Sequence, residues 1–186
     1  GKFLLDGSLY QGFKPVLWST VEKTALADAE VEYMDHTSNT IFVAFKIKKT
    51  SKEFLKNSNI VIWTTTPWTI PGNRALAFGK DLKYSLIEVE NVSEVSFAKV
   101  GDKLIFAEEL VKKVSEEIGI TAYKNIKIFT GDNLSDSICE HPFKDIGYDF
   151  KVKPFHGDFV NLEQGTGIVH IAPGHGDDDY SLGIKN

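Results

Sequence analysis

A chain of 186 residues, 42% hydrophobic and 25% charged, has the size and composition of one soluble globular domain. Its net charge of −5 argues against an autonomous nucleic-acid binder, which would carry a basic surface. The absence of a ~20-residue apolar run and of a basic-then-apolar leader argues against a membrane span or secretion and for a cytoplasmic location. The single Cys139 rules out an internal disulfide, and no CxxC pair suggests zinc.

In chain order, FKPVLW (13–18) reads as a strand. The weak alternation of AEVEYMD (29–35) and the clear alternation of NTIFVAFKI (39–47) suggest two strands paired through the polar HTSN turn. IVIWTT (60–65) is nearly continuous and apolar, as expected of a strand buried on both faces. Further strands are expected over 74–78, 84–90 and 99–106. One helix is expected over 107–118, with Leu110, Val111, Val114 and Ile118 on one face and Gly119 as its stop. Strands over 126–130, 136–139 and 150–155 follow. Many short strands and few helices predict a β-rich α+β domain, closed or partly closed as a barrel, with a few peripheral helices. Lysines gather at Lys46, Lys48, Lys49, Lys52 and Lys56, and at Lys151 and Lys153, a pattern typical of a solvated face.

Two stretches carry the chemistry. In TTTPWTIPGN (64–73), three hydroxyls follow a buried strand and two prolines stiffen the exit. This should produce a rigid loop displaying Thr64, Thr65 and Thr66, flanked by Trp63 and Trp68. Near the end, GTGIVHIAPGHGDDDY (165–180) reads as a strand through Ile168–Ile171, a turn at Pro173, Gly174 and Gly176, and a helix N-capped by Asp177. Glycines at a helix start can cradle a phosphate, but three carboxylates repel one. A primary amine or a metal cation is the better-matched ligand. The same acids could also simply cap a helix.

Taken together, the two runs resemble the editing domain of isoleucyl-tRNA synthetase. WTTTPWTIPGNRA (63–75) and GTGIVHIAPGHGDDDY (165–180) match that family's signatures in its order, and KPVLWST with TALADAEVEY (14–20 and 24–33) resembles the approach to that insertion. The valyl and leucyl relatives carry TTRP and an AHD turn instead, so Thr66 and His175–Gly176 favour the isoleucyl type. Gly72 and Ile171 are small departures from the family pattern. The HIGH and KMSKS signatures are absent, so the resemblance implies a single editing domain, 1–186, excised from a longer synthetase whose catalytic core would use ATP and Mg. The editing domain itself would need no cofactor and no metal.

The resemblance implies hydrolysis of valine from mischarged tRNA(Ile). As is known for isoleucine against valine in this enzyme family, one methylene gives a binding pocket only about 1–3 kcal/mol, so a second, smaller site must remove the errors. It also implies the residue roles. Asp179 pairs with the substrate's ammonium, and Thr66 with Thr64 and Thr65 lines the amino-acid pocket. Thr64, Thr65, Thr66 and Asp179 form the catalytic set, and Thr66, Trp68, Asn73, His170 and Asp179 contact substrate. His170 reads equally as a neighbour of the ester and as a hydrogen-bonded core histidine, and Asn73 also as a turn residue. Water is the expected nucleophile, since neither Ser181 nor Cys139 has a histidine partner in motif context. Expected partners are the 3′ end of tRNA(Ile) carrying valine and the remainder of the synthetase, with the domain monomeric and no membrane involved. Two alternatives remain open: a metal-dependent hydrolase using His170, His175 and Asp177–Asp179, and a module that binds aminoacyl-adenosine without turnover. His36, His141 and His156 carry no motif and are read as surface or structural residues.

Overall fold

The computed structural model describes residues 1–13 and 16–186, which form two compact units, Gly1–Thr37 and Ser38–Asn186. The first holds a one-turn helix α1 (Lys2–Leu5) and a two-residue hairpin, β1 (Trp18–Ser19) antiparallel to β2 (Thr24–Ala25). Residues 14 and 15 of the strand expected over 13–18 lie outside the described residues, and its last residue, Trp18, starts β1. The strand expected over 29–35 does not form. Asp28–Glu30 make a 3-10 turn closed by the Glu30 side chain on the Ala27 N–H, and no strand follows until Ile41.

The second unit is built on strands β3 (Ile41–Lys49), β4 (Asn59–Thr64), β5 (Ala75–Phe78), β6 (Lys83–Val92), β7 (Lys103–Ala107), β8 (Ile120–Thr130), β9 (Ile138–Glu140), β10 (Lys151–His156) and β11 (Ile168–Ile171). They form one mixed sheet in the order β11-β5-β10-β9-β3-β4-β7-β6-β8. The alternating β3 therefore pairs with β4, Phe45 opposite Ile60, and not with the 29–35 segment. Phe45 and Ile47 enter the core while Lys46 and Lys48 face out, and Lys48 pairs with Glu140 at 3.1 Å. The continuous run of β4 buries Ile60, Val61 and Ile62, as a strand covered on both faces requires.

The ladder does not close. Among the described residues β11 and β8 are its ends and pair with no common strand, so the sheet is not a closed barrel. It curls instead. The Ala107 N–H, at the end of β7, donates to the Thr166 carbonyl at 2.8 Å, just before β11. Buried Tyr84 reinforces the curl: its hydroxyl accepts the Gly79 N–H at 2.9 Å and donates to the Gly167 carbonyl at 2.8 Å. Burial pushes that phenol up to about 12, against the Gly79 hydrogen bond, so it remains a donor.

Helix α2 (Val111–Glu117), led by a 3-10 turn over Glu108–Leu110, buries Leu110, Val111 and Val114 and ends at Gly119, whose φ of +78° suits glycine. Helix α3 (Asp177–Lys185) buries Leu182 in a second, smaller apolar cluster with Ala75, Ala77, Val160 and Ile171. This cluster holds α3 against the β5–β11 end of the sheet. Among the described residues no helix is long and apolar enough to cross a membrane.

Candidate functional site

The two motif stretches meet at one cleft of about 500 Å³. One wall runs from Trp63 to Thr69 at the end of β4, and the other from Phe159 to His170, with His175 and Asp179 at its far end. Strand β11 reaches this wall by pairing antiparallel with β5, which puts His170 opposite Leu76. Gly165, at φ +78°, backs onto the Trp63 ring, where an added Cβ would sit 3.5 Å from Cε3.

The first wall follows from its sequence. Pro67 occupies the first position of a 3-10 turn over Pro67–Gly72, where its missing N–H costs nothing, and Thr66 precedes it as the N-cap at φ −124° and ψ 69°. The two ends of the turn are tied by Thr69 N–H to Thr66 C=O at 3.1 Å and Asn73 N–H to Ile70 C=O at 2.9 Å. Thr64 is buried, and its Oγ1 accepts the Thr66 N–H at 3.1 Å and lies 3.2 Å from the Thr66 hydroxyl. Thr65 is exposed and Thr66 half-buried. Trp68, 70% exposed, stands at the rim.

His170 is buried and bonded through both ring nitrogens. Asn73 Nδ2 donates to the Ala75 carbonyl at 2.9 Å and lies 3.4 Å from His170 Nδ1. With an amide N–H₂ facing it, Nδ1 is the acceptor and Nε2 carries the proton. Nε2–H then donates to Thr69 Oγ1 at 3.0 Å, and Thr69 donates to the Thr66 carbonyl at 2.9 Å. Burial, the largest influence, holds this imidazole below its usual value; Asp179 pushes the other way, and His175 and His141 add to the lowering. A neutral ring with both nitrogens engaged has no lone pair free for a proton from water.

Asn73 does not line the cleft. It is fully buried and lies behind His170, fixing the ring's tautomer. Thr69, which sequence reasoning passed over, lines the cleft and links His170 to the turn. Asn161 and Gln164 also line it, on a loop that carries no motif before Gly165.

The acidic run divides. Gly176, not Asp177, is the N-cap of α3, and Asp177 and Asp178 are exposed in its first turn. Asp179 is half-buried and turns back, its Oδ2 accepting the Ala172 N–H at 2.7 Å. Among the described residues its other oxygen takes no protein hydrogen bond, and the side chain lines the cleft. Also among the described residues, no three His, Cys, Asp or Glu side chains are grouped to hold a metal ion. Cys139 is buried and its thiol is pushed up to about 12 by that burial, so it stays protonated, while Ser181 lies exposed on α3.

The family of class I tRNA synthetases (I, L, M and V) matches residues 1–157. The chain belongs to that family. Its relatives include the isoleucine–tRNA ligase of Pelagibacter ubique, 54% identical over 185 residues, covering 100% of this chain and 20% of the relative. That of Gluconobacter oxydans is 51% identical over 184 residues, 98% of this chain and 19% of the relative. The chain thus spans about a fifth of the length of the curated relatives it matches. Among solved structures, the editing domain of P. knowlesi cytosolic leucyl-tRNA synthetase superposes with a TM-score of 0.56 at 12% identity, covering 77% of this chain and 61% of that one. The P. falciparum editing domain gives 0.54 at 13%, covering 73% and 53%. This class I synthetase segment therefore has the fold of an editing domain.

Proposed function

We propose that this chain hydrolyses the ester of valyl-tRNA(Ile), as the proofreading domain of an isoleucyl-tRNA synthetase. The observation that carries the reading is one cleft lined by both the hydroxyls of Thr64–Thr66 and the half-bonded carboxylate of Asp179. The unengaged oxygen of Asp179 takes the substrate's ammonium, a charge-assisted hydrogen bond at a part-buried site. Its other oxygen, tied to Ala172, keeps the carboxylate from swinging away.

Valine's side chain then lies against the Thr64–Thr66 wall, where the linkage of Thr64 to Thr66 fixes rotamers and the methyls limit length. Isoleucine is refused by volume. Water is the nucleophile, held by threonine hydroxyls and backbone groups, and donors aimed at the developing oxyanion lower the barrier by a few kcal/mol. Because both His170 nitrogens are engaged, the water's proton passes to another group; a ribose hydroxyl beside the ester can relay it, giving up its own proton to the departing ester oxygen. His170 shapes the wall. On this reading the domain works in the cytoplasm as a monomeric part of its parent synthetase and uses no cofactor, and the parent supplies most of the grip on tRNA, since this chain carries a net charge of −5.

The test is release of amino acid from valyl-tRNA(Ile) and isoleucyl-tRNA(Ile) at micromolar tRNA. Release of valine with the isoleucyl ester spared is expected, with little turnover at nanomolar tRNA. Binding of the valyl ester without release would make this a binding module, and equal loss of both amino acids would contradict the size-excluding pocket.

A further inference from the structure

The Pro67–Gly72 turn is clasped from two sides. On the cleft side Thr69 meets His170. On the far side the next residue, Ile70, presents its carbonyl to Nε2 of His141 at 2.9 Å. His141 lies directly after β9 and is only 2% exposed. Its Nδ1 accepts the Phe143 N–H at 3.1 Å, so Nε2 carries the proton and donates to Ile70. The ring is stacked on Tyr148, with centroids 5.1 Å apart and planes at 16°, and is tilted against Phe143 and Phe150. Arg74 closes the corner, its guanidinium 4.2 Å over the Phe150 ring and its Nη1 donating to the Asn73 carbonyl at 2.7 Å.

A turn holding two prolines, Pro67 and Pro71, lacks two backbone donors. Among the described residues His141 is the one side chain distant in sequence that bonds this turn's backbone. We propose that His141 is a positioning residue of the cleft: by gripping the Ile70 carbonyl it sets the turn that carries Trp68 and Thr69, and through Thr69 it sets the orientation of His170. It touches no substrate. The inference rests on the editing reading only for its kinetic readout.

The test compares His141→Phe, which keeps the ring and loses the donor, with His141→Gln, which keeps a donor. The first readout is the ¹H–¹⁵N signal of the His170 Nε2–H, which exists whether or not the chain is an enzyme. It should persist in His141→Gln and be lost or exchange freely in His141→Phe. The second readout is valyl-tRNA(Ile) hydrolysis, expected to fall roughly tenfold to a hundredfold in His141→Phe, the scale of a misplaced reacting group, and to recover substantially in His141→Gln. An unchanged His170 signal or unchanged hydrolysis in His141→Phe overturns the proposal, as does equal loss in both variants. If His141→Phe does not fold, His141→Gln decides alone, because the proposal requires it to retain the His170 signal. A wild-type chain that hydrolyses nothing but shows the predicted NMR pattern would sink the editing reading and leave the positioning role standing.

Discussion

The carboxylate of Asp179 is anchored to the backbone N–H of Ala172, seven residues earlier, at 2.7 Å across the Pro173–Gly176 turn. One oxygen thus does structural work while the other is left to the cleft. Asp179→Asn should retain an oxygen for Ala172 and lose the charge. We expect its stability to change by no more than about 1 kcal/mol, the size of a single net hydrogen bond, while affinity for a valyl ester falls at least roughly tenfold, as loss of a charge-assisted bond implies. Urea unfolding and ligand titration on one sample check both halves.

Thr69→Val removes the acceptor of the His170 Nε2–H at nearly constant volume. A buried donor without a partner costs about 1–3 kcal/mol, which urea denaturation will register. Thr69→Ser keeps the hydroxyl and should lose much less.

Gly167, at φ +73°, has no room for a side chain: a Cβ would sit 2.5 Å from that of Ala107. Gly167→Ala should destabilise by about 1–3 kcal/mol or more, from overpacking together with an unfavourable backbone angle. The midpoint of thermal unfolding reports it.

The two buried histidines predict an acid dependence. Burial lowers both; for His141 the Ile70 carbonyl opposes and Arg74 adds to the effect. Above the ordinary histidine value of about 6.5 both rings are neutral whether the chain is folded or unfolded. Below it the unfolded chain takes up protons that the folded chain refuses, so stability falls with pH until the lowered folded values are reached. Unfolding midpoints measured downward from neutrality should decline from this point. The decline should be smaller in Thr69→Val/His170→Leu, which has one such ring fewer.

Much of the cleft was legible because its two walls are contiguous in sequence. The threonines and prolines of 64–71 announce a stiff strand exit, and the β-branched run 168–171 announces the strand beside it. What escaped was whatever depends on contacts between distant segments. Thr69 looked like one more loop residue, and only the fold brings it to His170, 101 residues on. His141 had no motif because its target is a backbone carbonyl, which leaves no trace in residue type. Asp177 looked like the cap, yet Gly176 takes that place, which frees the acidic run to point elsewhere. In the fold, the local alternation of 29–35 was too weak to win a partner, since β4 offers β3 a longer apolar run. A count of short strands likewise says nothing about whether the last one closes the sheet.

Titration with a hydrolysis-resistant valyl-adenosine analogue, beside its isoleucyl counterpart and with Asp179→Ala as control, decides whether the cleft is a size-excluding pocket anchored by Asp179. Binding of the valyl analogue alone, lost in the variant, is expected. Equal binding of both analogues, or binding indifferent to Asp179, would contradict it.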